Sequence, residues 1–282
     1  MLTHTLTLRE REQVDAANSA DGPAVVLLHE LWALVDAWEP WRDRLGEHGF
    51  TTVAVEWPRE PETFEEALAD PDAVAGVSLA DVREHAAMVV GALRERPLLV
   101  GHGVGALTAQ QLAGKGLARA TVAIAPAPMK GSTRAPDSML QAAAPVLRDP
   151  QNRDRAIRLT FPEFRYAYAN AVNVDEARTL WETRHVPGSA RVGFELASLR
   201  RDPRAPASVD TVNRERGPML VVSAGRSRLV DPAISAETFR IQSRNPCETE
   251  FLDLPDRGHT LLIDSGWAEV ADHVIAYLER QR

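Results

Sequence analysis

Residues 99–106 read Leu-Val-Gly-His-Gly-Val-Gly-Ala. An apolar run here meets glycines at alternate positions and passes at once into residues of helical spacing. Such a run predicts a strand, a turn too sharp for most side chains, and a helix, because glycine alone enters strained backbone regions without steric cost. A strand that hands over directly to a helix is the unit of a parallel sheet with crossover helices.

The rest of the chain repeats that alternation. Strands are predicted at 24–28, 51–55, 98–100, 121–125, 219–224 and 248–254, with helices at 38–47, 79–96, 106–112 and 267–279. The rhythm stops after Pro126, and residues 127–216 carry helical, strandless patterns rich in Pro, Arg and aromatic residues. The expected organisation is an α/β core of residues 1–126 and 217–282, with 127–216 inserted as a helical cap or lid.

Composition narrows the partners. With 282 residues and 44% hydrophobic content the chain can bury a large core. Forty acidic against 32 basic residues give a net charge of -8, which disfavours nucleic acid as a partner. The single Cys247 excludes an internal disulfide, residues 1–20 are polar, and no run approaches a membrane span. A cytoplasmic protein without membrane contact, monomeric or homodimeric, is the expectation.

The glycine turn has two readings. Gly101-x-Gly103-x-x-Ala106 fits the dinucleotide fingerprint, but the following strand at 121–125 ends without the carboxylate that would hold a ribose. The other reading is the G-x-S-x-G turn, which lifts a serine above the sheet. Gly103 then stands where the serine would be.

The surroundings favour the second reading. His29-Glu30-Leu31-Trp32 follows the first strong strand, and Asp256-Arg257-Gly258-His259 lies between the last strand and the last helix. Together with Trp57-Pro58-Arg59, Ala125-Pro126-Ala127-Pro128 and Gly225-Arg226-Ser227, these landmarks fall in one order. Over about residues 22–280 the chain resembles a bacterial family of α/β-hydrolase-fold proteins. That resemblance implies a mostly parallel central sheet flanked by helices, with an inserted helical cap.

It also shows what has changed. The family's nucleophilic serine matches Gly103, its acid Ser227, its second acidic position Ala125, and its oxyanion-loop glycine Glu30. Of the catalytic three only His259 remains. Leu31 and Val104 match the backbone oxyanion donors, and stay free if Glu30 points away.

Without a serine Oγ no acyl-enzyme can form at the turn. His259, lacking a carboxylate, is expected to titrate near an ordinary histidine and to be neutral at pH 7. Glu30 is either a solvent-facing loop residue or a general base whose pKa burial moves toward neutrality. Gly103 reads as cleared space in a rebuilt pocket. Trp32, His102, Phe161, Phe164, Tyr166, Tyr168 and Trp181, with Phe194, are the candidate lining for a flat or bulky ligand.

The expected function is therefore a cofactor-free, non-hydrolytic enzyme with His259 and Glu30 as its catalytic groups and no metal. It would form carbon–carbon bonds, cyclise or isomerise a bulky apolar or aromatic natural-product intermediate, largely by positioning. Two alternatives stay open: a hydrolase of esters, lactones or epoxides that activates water directly, and a small-molecule binding protein without turnover.

Overall fold

A computed structural model of the chain describes residues 5–133, 136–199 and 206–282. Among the described residues there are eight strands: β1 (Val25–Leu28), β2 (Thr52–Val55), β3 (Leu98–His102), β4 (Ala120–Ile124), β5 (Ala156–Ile157), β6 (Gly188–Ser189), β7 (Met219–Ala224) and β8 (Thr249–Leu254). Six of them form one sheet in the order β2-β1-β3-β4-β7-β8, and every pairing in it is parallel. Helices cover both faces, so the inner strands read as unbroken apolar runs rather than alternating ones. Val-Val-Leu-Leu of β1 is buried at all four residues.

The helices begin where their caps dictate. Thr7 and Glu10 form a capping box at Leu8–Ser19, and Ser78 and Asp81 form another at Leu79–Gly91. Helix Val104–Gly114 behind β3 is buried at every position, which its Ala-Leu-Thr-Ala composition permits without a polar face.

Between β4 and β7 the chain leaves the sheet. Helices Asp137–Leu147, Phe161–Ala167, Val174–Thr183 and Ala190–Ser198 follow, and the first and last of them share a cavity with the residues that follow β1, β3 and β4. The expectation of a strandless segment is corrected, because β5 and β6 pair antiparallel across it. Two residues per strand carry too little periodicity to be read in advance. A buried carboxylate ties this segment to the core: Glu195 Oε2 accepts the Leu79 N–H at 2.8 Å. No helix among the described residues is long and apolar enough to cross a membrane.

Candidate active site

β3 ends at His102, and Gly103 turns with φ +54° and ψ −112° directly into helix Val104–Gly114. The positive φ explains glycine at 103. The flanking glycines answer a different need, close approach. A Cβ on Gly105 would meet the Leu28 carbonyl oxygen at 2.1 Å, and one on Gly101 the Gly105 carbonyl oxygen at 2.3 Å. The turn thus packs against the end of β1 and brings the loop of residues 29–32 over the helix N-terminus.

Glu30 in that loop is buried, 4% exposed, so the solvent-facing alternative is excluded. Its side chain points into the turn. The Leu31 N–H donates to Oε1 at 2.6 Å, and the Val104 N–H donates to Oε2 at 2.8 Å. Both backbone groups assigned to hold an oxyanion therefore hold the Glu30 carboxylate. An ideal Cβ on Gly103 would lie 1.0 Å from Glu30 Oε2 and 2.1 Å from its carboxyl carbon. Gly103 is not cleared space, as the sequence suggests; the volume is filled by a carboxylate from the neighbouring loop. Glycine at 103 is what makes room for it.

The loop is anchored from below. His29 Nε2 lies 2.8 Å from Glu60 Oε2 with both side chains buried. Glu60 also accepts the N–H groups of Val35 at 2.6 Å and Trp57 at 2.7 Å. Burial acts to lower the His29 pKa, but the Glu60 carboxylate together with the backbone and charge of Glu30 outweighs it and holds the ring above its ordinary value. Trp32 takes a left-handed φ of 67°, and its Nε1–H donates to the Ile157 carbonyl at 2.6 Å. Strain at Trp32 is thereby held from the far side of the cavity.

His259 is fully buried, with Nε2 3.6 Å from Glu30 Oε2. Its Nδ1 lies 3.1 Å from Ser227 Oγ, which also accepts the Val230 N–H at 3.1 Å. Ser227 thus meets the ring nitrogen opposite the one that faces Glu30. The His102 ring stands 4.6 Å from that of His259, and the Tyr168 ring meets His259 edge-on at 4.9 Å. The Tyr168 hydroxyl donates to the Leu31 carbonyl at 2.7 Å.

Burial decides the charges. It pushes the Glu30 carboxyl up to about 7 and holds His259 and His102 down at about 3. The expectation of an ordinary titration for His259 is corrected, because full burial disfavours the charged imidazole even with Glu30 Oε2 3.6 Å from its Nε2. Near neutral pH any proton shared among these groups belongs to Glu30. Donor atoms of Glu30, His102 and His259 all lie within 4.8 Å of one another, a set that could hold a metal ion. The carboxylate, however, is already held on both oxygens by backbone N–H groups.

Glu30 stands where three cavities meet. The widest is walled by Met139, Ala143, Val146, Leu196, Leu229 and neighbouring apolar residues, and among its described lining residues Glu30 alone is ionisable. A second holds His102, Tyr168, His185 and His259 opposite Glu30. An apolar chamber and a polar one thus share Glu30 and Trp32 as their common wall.

Of the predicted lining residues, the structure brings Trp32, His102, Phe164 and Tyr168 to the polar chamber. Phe161, Tyr166 and Trp181 line none of these three cavities, which corrects their expected role. Phe161 and Trp181 pack edge to face at 6.0 Å, with Arg178 over Phe161 and Arg158 over Trp181. Tyr166 donates to Gln141 and lies under Arg228. Phe194 packs as a partly buried residue of the cluster beneath them. Their amphipathic rings are used to seal helix contacts. The sequence alone did not single out Glu60 or His185, nor the pairing of His29 with Glu60; helix Glu39–Glu47 and β2 lie between that pair, so only their contact reveals it.

The fold and this geometry meet known proteins in one place. The pattern of the alpha/beta hydrolase family matches residues 25–273, and the chain belongs to that family. Its fold is similar to that of a monoacylglycerol lipase from Paleococcus ferrophilus, at 19% identity and a TM-score of 0.63 over 93% of this chain and 97% of that one. Polyneuridine aldehyde esterase is similar at 13% identity and a TM-score of 0.64, over 91% and 99%. Methylketone Synthase I of tomato, solved with 2-tridecanone, is similar at 13% identity and a TM-score of 0.61, over 93% and 100%. A comparison with curated protein sequences finds no match.

Proposed function

We propose that this chain is a non-hydrolytic acid–base enzyme that isomerises, cyclises or couples an apolar small molecule, with Glu30 as the base. One observation carries the reading. The Glu30 carboxylate fills the volume of the missing nucleophile and takes both oxyanion donors, so the machinery of acyl transfer is absent in both its parts. What remains is a buried carboxyl poised near neutrality, the range in which a general base works best, at the edge of an apolar cavity. Burial of the substrate body in that cavity supplies orientation.

The test uses 2-tridecanone, the ligand of the similar tomato protein, as a probe of the apolar cavity. In D₂O the wild type is expected to exchange its α-hydrogens, and Glu30→Gln to slow this by roughly 10²-fold or more. Steady hydrolysis of p-nitrophenyl esters abolished by His259→Ala would overturn the reading in favour of directly activated water. Bound 2-tridecanone that never exchanges would reduce the site to a binding pocket.

A further inference from the structure

We infer that Ser227 reverses the polarity of His259, so that Nδ1 accepts a hydrogen bond and Nε2–H is a neutral donor aimed into the polar chamber toward a substrate carbonyl oxygen. The inference rests on the acid–base reading above for its catalytic meaning, but not for its structural content. In a carboxylate-supported histidine, Nδ1–H donates to the acid and Nε2 is left as the base. A serine hydroxyl brings a proton of its own, and that proton needs an acceptor.

Among the described residues Ser227 Oγ has two hydrogen-bond partners. One, the Val230 N–H at 3.1 Å, is a donor. The other is His259 Nδ1 at 3.1 Å, which leaves Nδ1 as the acceptor for the hydroxyl proton. A neutral imidazole that accepts at Nδ1 carries its own proton on Nε2. Among the described residues Nε2 is buried and has no hydrogen-bond partner, while Glu30 Oε2 stands 3.6 Å away. Its N–H is free for a ligand.

This answers a question the filled oxyanion hole raises. When Glu30 takes a proton from the carbon next to a carbonyl, the C–H electron pair becomes the carbon–carbon double bond of an enolate, and charge gathers on the oxygen. The usual backbone donors are engaged by Glu30. His259 Nε2–H is a donor on the same wall, and the protonated Glu30 returns its proton to carbon to close the cycle. The substrate class is then a ketone or related carbonyl compound with an enolisable carbon. Its apolar body lies against the apolar walls of the cavity lined by Met139, Ala143 and Leu196. Ser227 is a positioning residue that acts through His259.

The experiment is ¹⁵N NMR of the full chain labelled at histidine, with the His259 signals identified by their loss in His259→Gln. A protonated-type shift at Nε2 and an acceptor-type shift at Nδ1 are expected in the wild type. Ser227→Ala should mix the tautomers. Ser227→Asp should place the proton on Nδ1 and slow 2-tridecanone exchange by roughly 10²-fold or more, although it restores the residue that hydrolases carry. A wild-type His259 protonated on Nδ1, or evenly mixed, would overturn the inference even if Ser227→Asp does not fold. The Nε2–H tautomer with exchange indifferent to Glu30→Gln would sink the acid–base reading and leave the tautomer assignment standing.

Discussion

The carboxylate of Glu30 stands where a side chain on Gly103 would begin, with Oε2 1.0 Å from the ideal Cβ position. The two positions exclude each other, so each explains the other. Because the obstacle is the far end of a flexible side chain, Gly103→Ser forces Glu30 out of its two hydrogen bonds rather than breaking the turn. Gly103→Ser is expected to cost about 2–4 kcal/mol in urea unfolding, the sum of a positive φ on a non-glycine residue and a displaced buried carboxyl. In the double variant with Glu30→Gly the penalty should shrink by more than about 1 kcal/mol against the additive sum. Strict additivity would mean that the two side chains do not compete. Esterase activity is not expected in either variant, since Ser227 stays in the acid position.

The pH dependence of stability should carry the signature of Glu30. Its folded pKa is raised from 4.5 to about 7, so the folded state holds a proton that the unfolded state releases above 4.5. Stability from this group is present below that value and is lost as pH rises toward 7, by about 3 kcal/mol in all. Glu30→Gln lacks the loss. The stability difference between Glu30→Gln and wild type should therefore move in favour of the variant from pH 5 to pH 8, and a flat difference would refute the buried ionisation.

Acid should act in the opposite sense through His185. Burial holds its pKa down at about 3, and its Nε2 accepts the Leu159 N–H at 3.1 Å. The unfolded chain binds a proton below 6.5 that the folded imidazole refuses, so stability falls as pH drops from about 6.5 toward 3. His185→Gln should flatten this acid limb in a urea series, and an unchanged slope would count against the buried neutral imidazole.

The His29–Glu60 contact predicts a large structural effect outside the chemistry. Glu60→Ala leaves the N–H groups of Val35 and Trp57 unpaired and strips the counter-charge from a buried imidazole. A loss of about 3–5 kcal/mol is expected on unfolding. Glu60→Gln, which keeps an acceptor, should lose less.

Occupancy of the apolar cavity can be tested without touching Glu30. Ala143 is partly exposed on helix Asp137–Leu147 and lines that cavity. Ala143→Phe should weaken 2-tridecanone binding in calorimetry tenfold or more, about 1.4 kcal/mol, while the melting temperature stays near wild type. Unchanged affinity would place the ligand elsewhere.

Much of the fold is legible because it is local. Strand β7 at Met219–Ala224 and helix Trp267–Glu279 fall where their apolar periods put them, and β4 differs from its expected span by one residue at each end. Helix Leu8–Ser19 was not legible: its hydrophobic period is weak, and it is held by the capping box and by buried Glu10, which accepts from His85 Nε2 at 2.8 Å and from the Glu56 N–H at 3.1 Å. In the site, the identities of Glu30, Gly103, Ser227 and His259 could be read from their order along the chain. Their state could not. Phe161, Tyr166 and Trp181 show the limit, since an aromatic ring that seals a helix contact has the same letter as one that faces a ligand.

By itself the sequence determined a parallel sheet and a glycine turn after its third strand, because each depends on a short run or a single residue type. Only the tertiary structure decided what fills the turn. Glu30 and the Val104 N–H are separated by 74 positions. Whether that carboxylate faces water or the helix N-terminus depends on how closely β1 and the turn pack. The same packing removes water from His259 and Glu30 and so sets which of them carries the proton.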